Sequence, residues 1–464
     1  MIELHPLELL PVICYFGLLL VIGFLRRSDA EGEDDFIVGA RRLTLPGFIA
    51  TLVTTWYGGI LGVGEFTYLY GLSNWLVFGF PYYIFAILFA FYLAPRIRES
   101  RLLSIPDQLY RHYGTRNGII GTIYTFFMTL PAPYVLMTGF LLKLVTGWPA
   151  AWCIIIGALF SMVYVISGGF NAVVRTDKLQ FLLMFGGFAL MFVELIINSG
   201  GFAFLKENLP PQHLSLQGGN SLQYLLVWFF IALWTLVDPG FHQRCYAAKT
   251  PRTARNGILF SVLFWMVFDF LTTACGLYAR ALMPDIEPVL SFPLLSHRIL
   301  SPLLSGFFLT GLLATVMSTL DSNFLLSAIT LGHDIFARFS PHSISTVRLT
   351  RLGLLISAVL SVLLALVFPS VIQLLYIIGT LFIPSMLVPV LGSYFTVIRL
   401  GKRTTAVQLL LPFFISLFFL MQSLFRSPDP VNLQFWLGIQ PMYTGMAASG
   451  IILLAGIIQR ERKK

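Results

Sequence analysis

Runs of about 20 mostly apolar residues, the length a helix needs to cross a hydrocarbon layer, recur with short polar gaps from one end of the sequence to the other. Read as helices, they fall near residues 7–25, 45–72, 76–95, 118–145, 149–166, 178–198 and 223–248, then near 256–282, 303–333, 347–367, 371–396, 405–424 and 434–458. The pattern predicts an all-α polytopic membrane protein with about 13 transmembrane helices. The basic flank of the first run, Arg26-Arg27, comes after the apolar stretch, and Glu3 and Glu8 come before or within it. It therefore reads as a retained first helix rather than a cleaved leader.

Composition leaves little chain for a soluble domain: 57% of 464 residues are apolar, 11% are charged, and mean hydropathy is +0.82. A net charge of +9 does not point to nucleic acid, because the basic residues are spread between apolar runs instead of forming one soluble face. They report orientation. With the N-terminus outside, odd-numbered helices end in the cytoplasm, and about 25 of the 30 Lys and Arg fall there. That set includes Arg41-Arg42, Arg96, Arg98, Arg101, Lys249, Lys402-Arg403 and the tail from Arg460 to Lys464. The expected location is the cytoplasmic (inner) membrane, N-terminus outside and C-terminus in the cytoplasm. Cys14, Cys153, Cys245 and Cys275 form no close pair or Cys/His cluster, so neither a disulfide nor a metal centre is expected.

Two predicted helices carry breakers at mid-length. The second contains Gly58-Gly59, Gly62 and Gly64, and the seventh contains Asp238-Pro239-Gly240. One such break is easily a tolerated kink. Two breaks five helices apart predict a 5+5 inverted repeat, with binding at the unwound backbone. The expected divisions are an extra first helix and cytoplasmic loop (1–44), a first five-helix repeat (45–198), a second (223–396), and two C-terminal helices with a basic tail (397–464).

The ninth predicted helix bears Thr315, Ser318, Thr319 and Ser322 at i, i+3, i+4 and i+7, on one face, with Asp321 beside them. Converging hard oxygens suit sodium. The same stripe also suits hydroxyls that bond their own helix or a neighbouring one. Carboxylates inside apolar runs are costly and point to function. The deepest are Glu65, Asp238, Asp269 and Asp321, whereas Asp177 and Glu194 lie nearer run ends, where interfacial water could solvate them. Asp269, in the run Phe264 to Phe270, has no such escape and must pair, take a proton, or touch an ion or solute.

Four stretches carry a family resemblance: Asp35 to Leu43 (DFIVGARRL), Gly168 to Gln180 (GGFNAVVRTDKLQ), Gln243-Arg244 with Ala247 to Lys249, and Met317 to Ser322 (MSTLDS). In that order they resemble the sodium–solute symporter family, whose members share the leucine-transporter fold. The resemblance implies a sodium site on the backbone carbonyls of Thr54, Tyr57 and Thr315 and the hydroxyls of Ser318 and Thr319. It also implies, as in some members, a second sodium at Asp177, Ser318 and Ser322, with Asp321 as an added carboxylate. The substrate positions depart from the family's better-known patterns. Ile231 and Trp234 stand where sugar carriers bear Asn and Tyr, and Trp56 with Gly58-Gly59 where proline carriers bear Asp and Ser, which disfavours both solutes.

The remaining candidate substrate pocket comprises Trp56, Gly58, Gly59, Glu65, Trp234, Asp238 and Asp269. Aromatic walls beside carboxylates suit an amine-bearing solute, zwitterionic or cationic, with Asp238 as counter-charge. Equally, the tryptophans pack and the acids pair internally. No Lys or Arg is expected deep in this zone: Lys143 and Arg280 fall near outer ends and Arg244 near an inner one. The resemblance thus implies sodium-coupled symport of a small organic solute by alternating access. Sodium would be the coupling ion, with no other cofactor and with the bilayer as surroundings. The alternatives are a symporter-like sensor module, a proton-coupled carrier and a channel. An enzyme would need a nucleophile–base or metal constellation, and the seven His form no such motif.

Overall fold

A computed structural model describes residues 5–24, 32–340, 344–367, 371–427 and 434–461. Glu3, Arg26-Arg27 and Arg462 to Lys464, used above for the leader and orientation arguments, lie outside the described residues. The first half contains α1 (Pro6–Phe24), α2 (Leu45–Trp56), α3 (Ile60–Tyr70), α4 (Phe80–Tyr92), α5 (Ile105–Tyr113), α6 (Thr115–Thr129), α7 (Ala132–Thr146) and α8 (Ala150–Asn198). The second contains α9 (Leu222–Ile231), α10 (Trp234–Val237), α11 (Pro239–Ala247), α12 (Pro251–Leu282), α13 (Pro302–Leu331), α14 (Thr346–Val367), α15 (Val371–Tyr394), α16 (Lys402–Arg426) and α17 (Pro441–Glu461). Among the described residues the structure is helical without strands, and the one extended pairing is a bridge between Leu43 and Ala248.

Eleven helical runs are long and apolar enough to cross a membrane, or twelve when the bent pair α2–α3 counts as one. The difference from the expected thirteen lies in α8, a run of 49 residues that holds two helices meeting at a kink at Gly169 (φ +53°, ψ −141°), so that the predicted helices 149–166 and 178–198 correspond to its two parts. The polar residues between them looked like a loop in sequence. In the fold they have partners, Asn171 Nδ2 donating to Asp35 Oδ1 at 3.0 Å and Ser318 donating to Asp177, so the second of the two helices starts at the kink and includes them.

α13 is buried along nearly its whole length and packs against α1, α2, α8 and α14, which makes it the axis of the bundle. Outer helices instead leave large apolar side chains such as Ile13, Phe418 and Ile451 exposed, as a lipid-facing surface requires. Two of the motif stretches meet on one another. Leu43 N–H donates to Ala247 O at 3.0 Å, Lys249 N–H to Leu43 O at 2.9 Å, and Gln243 Nε2 to Ile37 O at 3.1 Å. These contacts fix the start of α2 against the end of α11 and set both broken segments into one frame.

Candidate functional site

α2 stops at Trp56 and α3 begins at Ile60, and the two axes differ by 57°. Tyr57 to Gly59 form the turn between them; Tyr57 O accepts from Ile60 N–H at 3.0 Å and Gly59 O from Val63 N–H at 3.1 Å, while Thr55 O, at the end of α2, is reached from a neighbouring helix. The other break is built differently. Ala232 and Leu233 interrupt the chain once, and Asp238 then caps α11: its Oδ1 accepts from Phe241 N–H at 2.8 Å, and its Oδ2 from Trp234 Nε1 at 2.7 Å. Pro239 at the first helical position needs no N–H partner, and a cap of this kind stabilises a helix start by about 1 kcal/mol.

Between the two breaks lies a cavity of about 190 Å³. Trp56, Tyr82, Tyr134, Trp228 and Trp234 give it aromatic walls, and Thr55, Asp238, Arg244, Thr319 and Asn323 supply polar groups. Of the substrate residues expected from sequence, Trp56, Gly59, Trp234 and Asp238 line this cavity; Gly58, Glu65 and Asp269 do not. Gly58 lies against Thr319. Glu65 has Glu287 as its charged neighbour. Asp269 is turned into a separate contact with Tyr57 and Tyr83.

Of the expected sodium ligands, Thr319 on α13 is the one in hydrogen-bond contact with the end of α2. Thr54, Tyr57, Thr315, Ser318 and Thr319 are all buried, and Thr319 Oγ1 donates to the Thr55 carbonyl at 2.8 Å. Thr54 and Thr315 return their hydroxyls to Ala50 O and Gly311 O at 2.8 and 2.7 Å, so neither side chain points an open oxygen at the crossing. Ser318 donates to Asp177 Oδ1 at 2.6 Å, and Thr51 donates to Asp177 Oδ2. Asp177 is therefore fully buried, not solvated at a run end. Asp321 is not brought into this group: its oxygens accept from Ser161 and Tyr164, on the other face of α13.

Arg244 corrects the sequence expectation of a zone without cations. It is fully buried and lines the cavity. Its Nη2 donates to Thr51, Thr55 and Ser322 at 3.1, 2.9 and 2.6 Å, while its Nε is buried without a partner. The restart of the helix at Pro239 carries residue 244 into the crossing, where hydroxyls solvate the guanidinium. Sequence reading also missed Thr51 and Thr55, although their i, i+4 spacing is the same signal that marked α13.

Among the described residues Asp107, His333 and Asp334 form a second polar cluster, away from the cavity. His333 bonds Glu33 through Nδ1 and Asp107 through Nε2, and Arg338 donates to Asp107.

Residues 36–403 match the sequence pattern of the sodium:solute symporter family. The chain is 25% identical over 389 residues to a sodium/pantothenate symporter of Escherichia coli (strain K12), covering 77% of this chain and 78% of that one. It is 26% identical over 385 residues to sodium/proline symporter 2 of Staphylococcus saprophyticus, covering 76% and 74%. In fold it is similar to a Na+-coupled sialic acid symporter solved in a substrate-bound outward-open state, with a TM-score of 0.78 and 16% identity over 98% of this chain and 97% of that one. A nucleobase-cation-symport-1 family transporter is also similar, with a TM-score of 0.58 and 12% identity over 89% and 93%. The family match spans most of the chain and the fold agrees with it, so this protein belongs to the sodium:solute symporter family and is a sodium-coupled symporter of a small organic solute, not an enzyme.

Proposed function

We propose that the coupling sodium binds where α2 crosses α13, on the carbonyls of Thr54, Tyr57 and Thr315 and the hydroxyls of Ser318 and Thr319. The observation that carries this reading is the 2.8 Å contact of Thr319 Oγ1 with Thr55 O, which brings the stripe on α13 to the unwound end of α2. Dehydrated sodium needs several oxygens at once, and few places in an apolar interior offer them. A second sodium is proposed at Asp177, Ser318 and Ser322, where a fully buried carboxylate already accepts two hydroxyl hydrogens. Asp321 then acts from behind α13 through its own partners.

The solute is proposed to occupy the aromatic cavity and to be a small zwitterion. The amine would face Asp238, as its place at the helix break suggests. Arg244, six residues further along the same short stretch, offers a guanidinium to a carboxylate. A purely cationic solute is disfavoured by that guanidinium. Transport follows by alternating access: the two broken segments, α2–α3 and α9–α11, with their partner helices rock against the remaining core in an inner membrane, with the N-terminus outside. A ligand shifts such an equilibrium only through its different affinity for the two states.

The test is uptake into proteoliposomes under an inward sodium gradient, with potassium as control, and competition by matched zwitterions, amines and monocarboxylates. Sodium-driven accumulation blocked best by zwitterions is expected. Accumulation driven by a pH gradient without sodium would replace the coupling ion, and stronger competition by plain amines or plain carboxylates would replace the solute class.

A further inference from the structure

Asp269 is a buried carboxylate that neither the cavity nor the sodium ligands use. It sits in the middle of α12 with 4% of its surface exposed, and among the described residues no Lys, Arg or His pairs with it. An unpaired acid in a bilayer-spanning helix is expensive, so its two partners matter. Tyr57 Oη donates to Oδ1 at 2.8 Å, and Tyr83 Oη donates to Oδ2. Each partner belongs to, or adjoins, an irregular segment. Tyr57 is the first residue of the unwound turn after α2, at φ −94° and ψ 24°. Tyr83 stands at the start of α4, just after the π-helical turn Trp75–Gly79, and a methyl group at Gly79 would lie 2.9 Å from Tyr83 Oη and 3.1 Å from Asp269 Oδ2. One carboxylate on a regular helix therefore holds two departures from regular helix.

We propose that Asp269 is a positioning residue for sodium, pinning the Tyr57 turn so that the carbonyls of Thr54 and Tyr57 are held toward α13. This rests on the sodium site assigned above. The geometry is that of a strut. The Tyr57 ring packs edge-on against Phe268, with centroids 4.5 Å apart, and its hydroxyl is also within 3.2 Å of the Trp265 carbonyl. The side chain thus has one long lever from the turn to α12, clamped at the far end. The two oxygens of Asp269 each accept one tyrosine hydroxyl hydrogen, and hydrogen bonds fix direction as well as distance, which is what an apolar side chain at this position would not supply. A site built from backbone carbonyls has no side-chain freedom with which to correct itself, so the turn must be held in place beforehand.

The experiment measures sodium titrations of the full-length protein in detergent, followed by tryptophan fluorescence because Trp56 adjoins the turn, with potassium as control. Sodium-dependent uptake in proteoliposomes is measured alongside. The variants are Asp269→Ala, Asp269→Asn, Tyr57→Phe, Tyr83→Phe and the pair Asp269→Ala with Tyr57→Phe. The expected result for Tyr57→Phe and Asp269→Ala is a rise of about tenfold or more in half-saturating sodium, with uptake recovering as sodium is raised. Asp269→Asn should fall between Asp269→Ala and wild type, since its oxygen still accepts from Tyr57. The double variant should be no worse than Asp269→Ala. Thermal midpoints serve as the folding control. Wild-type sodium affinity in Asp269→Ala and Tyr57→Phe, additive losses in the pair, or lowered thermal midpoints with unchanged sodium affinity would each overturn the proposal. If Ser318→Ala with Thr319→Ala also leaves the titration unchanged, it is the sodium site itself that is misplaced; if that variant loses sodium while the Asp269 variants do not, only the positioning role fails.

Discussion

The Arg244 guanidinium donates to the Ser322 hydroxyl at 2.6 Å and to Thr55 at 2.9 Å, so a single cation on α11 is stapled to both α2 and α13. Asp177 and Asp238 are the carboxylates that act on its charge, and neither forms a direct ion pair with it among the described residues. The guanidinium is thus shared between the solute cavity on one side and the Asp177 group on the other.

Arg244→Ala should nearly abolish uptake, because it leaves three buried hydroxyls and the Asp177 carboxylate without their cation; removing one member of a buried charged group typically costs about 3–5 kcal/mol. Arg244→Lys keeps the charge but loses the Nη1 donor that reaches Gly240 O and Gln243 Oε1, so it should recover only part of the activity. Uptake rates in proteoliposomes, normalised to folded protein, check this. Equal activity of the Lys and Ala variants would show that charge is not the determinant.

Replacing Ser318 and Thr319 together with Ala removes a hydrogen bond to Asp177 Oδ1 and the contact with the Thr55 carbonyl. Half-saturating sodium should rise by about a hundredfold, two hydroxyl ligands at roughly 1.5 kcal/mol each, while helix content by circular dichroism stays unchanged. An unaltered sodium dependence would move the site elsewhere.

The architecture was legible because apolar run length reports membrane helices directly, and the breakers at Gly58-Gly59 and Asp238-Pro239 fall where the structure interrupts its helices. The hydroxyl stripe of α13 was legible for the same reason: helical spacing fixes a face without knowledge of the neighbour. What sequence could not supply was the partner of each polar group. Asp177 looked like an interfacial residue until Thr51 and Ser318 were seen to bond it, and Asp269 looked like a solute ligand until Tyr57 and Tyr83 were found on its two oxygens. Arg244 was placed near an inner end because the sequence does not show that Thr51, Thr55 and Ser322 from two other helices surround it. Asp321 adjoins the stripe in sequence, yet a step of one residue turns a side chain by about 100° on a helix, and it faces Tyr164 instead.

Acid stability should depend on Asp107, which lies on α5 outside the membrane-spanning runs. Burial alone would raise its pKa, but the His333 hydrogen bond and charge, the charge of Arg338 and the Leu103 N–H together hold it below the usual carboxylate range. A depressed native value means that the unfolded state binds the proton more readily. The stability Asp107 contributes is therefore present above the unfolded value of about 3.9 and is lost as pH falls through the lower native value. The thermal midpoint measured from pH 7 down to pH 3 should fall on acidification, and Asp107→Asn should start lower at pH 7 and fall less. A parallel fall in both proteins would assign acid sensitivity to other groups.

The close approach of the two central helices makes its own prediction at Gly58. A methyl group there would lie 2.5 Å from Thr319 Cβ and 2.6 Å from both Thr319 Cγ2 and Oγ1, distances no pair of atoms tolerates. In Gly58→Ala, either the turn retreats from α13 or Thr319 rotates and gives up its 2.8 Å contact with Thr55 O. Overpacking of this kind costs about 1–3 kcal/mol, so sodium affinity should fall roughly tenfold or more. Gly59 is the internal control. A methyl group there meets nothing within 4 Å, and the residue lines the solute cavity, so Gly59→Ala should spare sodium binding and alter solute affinity instead. Titrating sodium against both variants decides the matter: equal effects at residues 58 and 59 would show that this contact does not set the ion site.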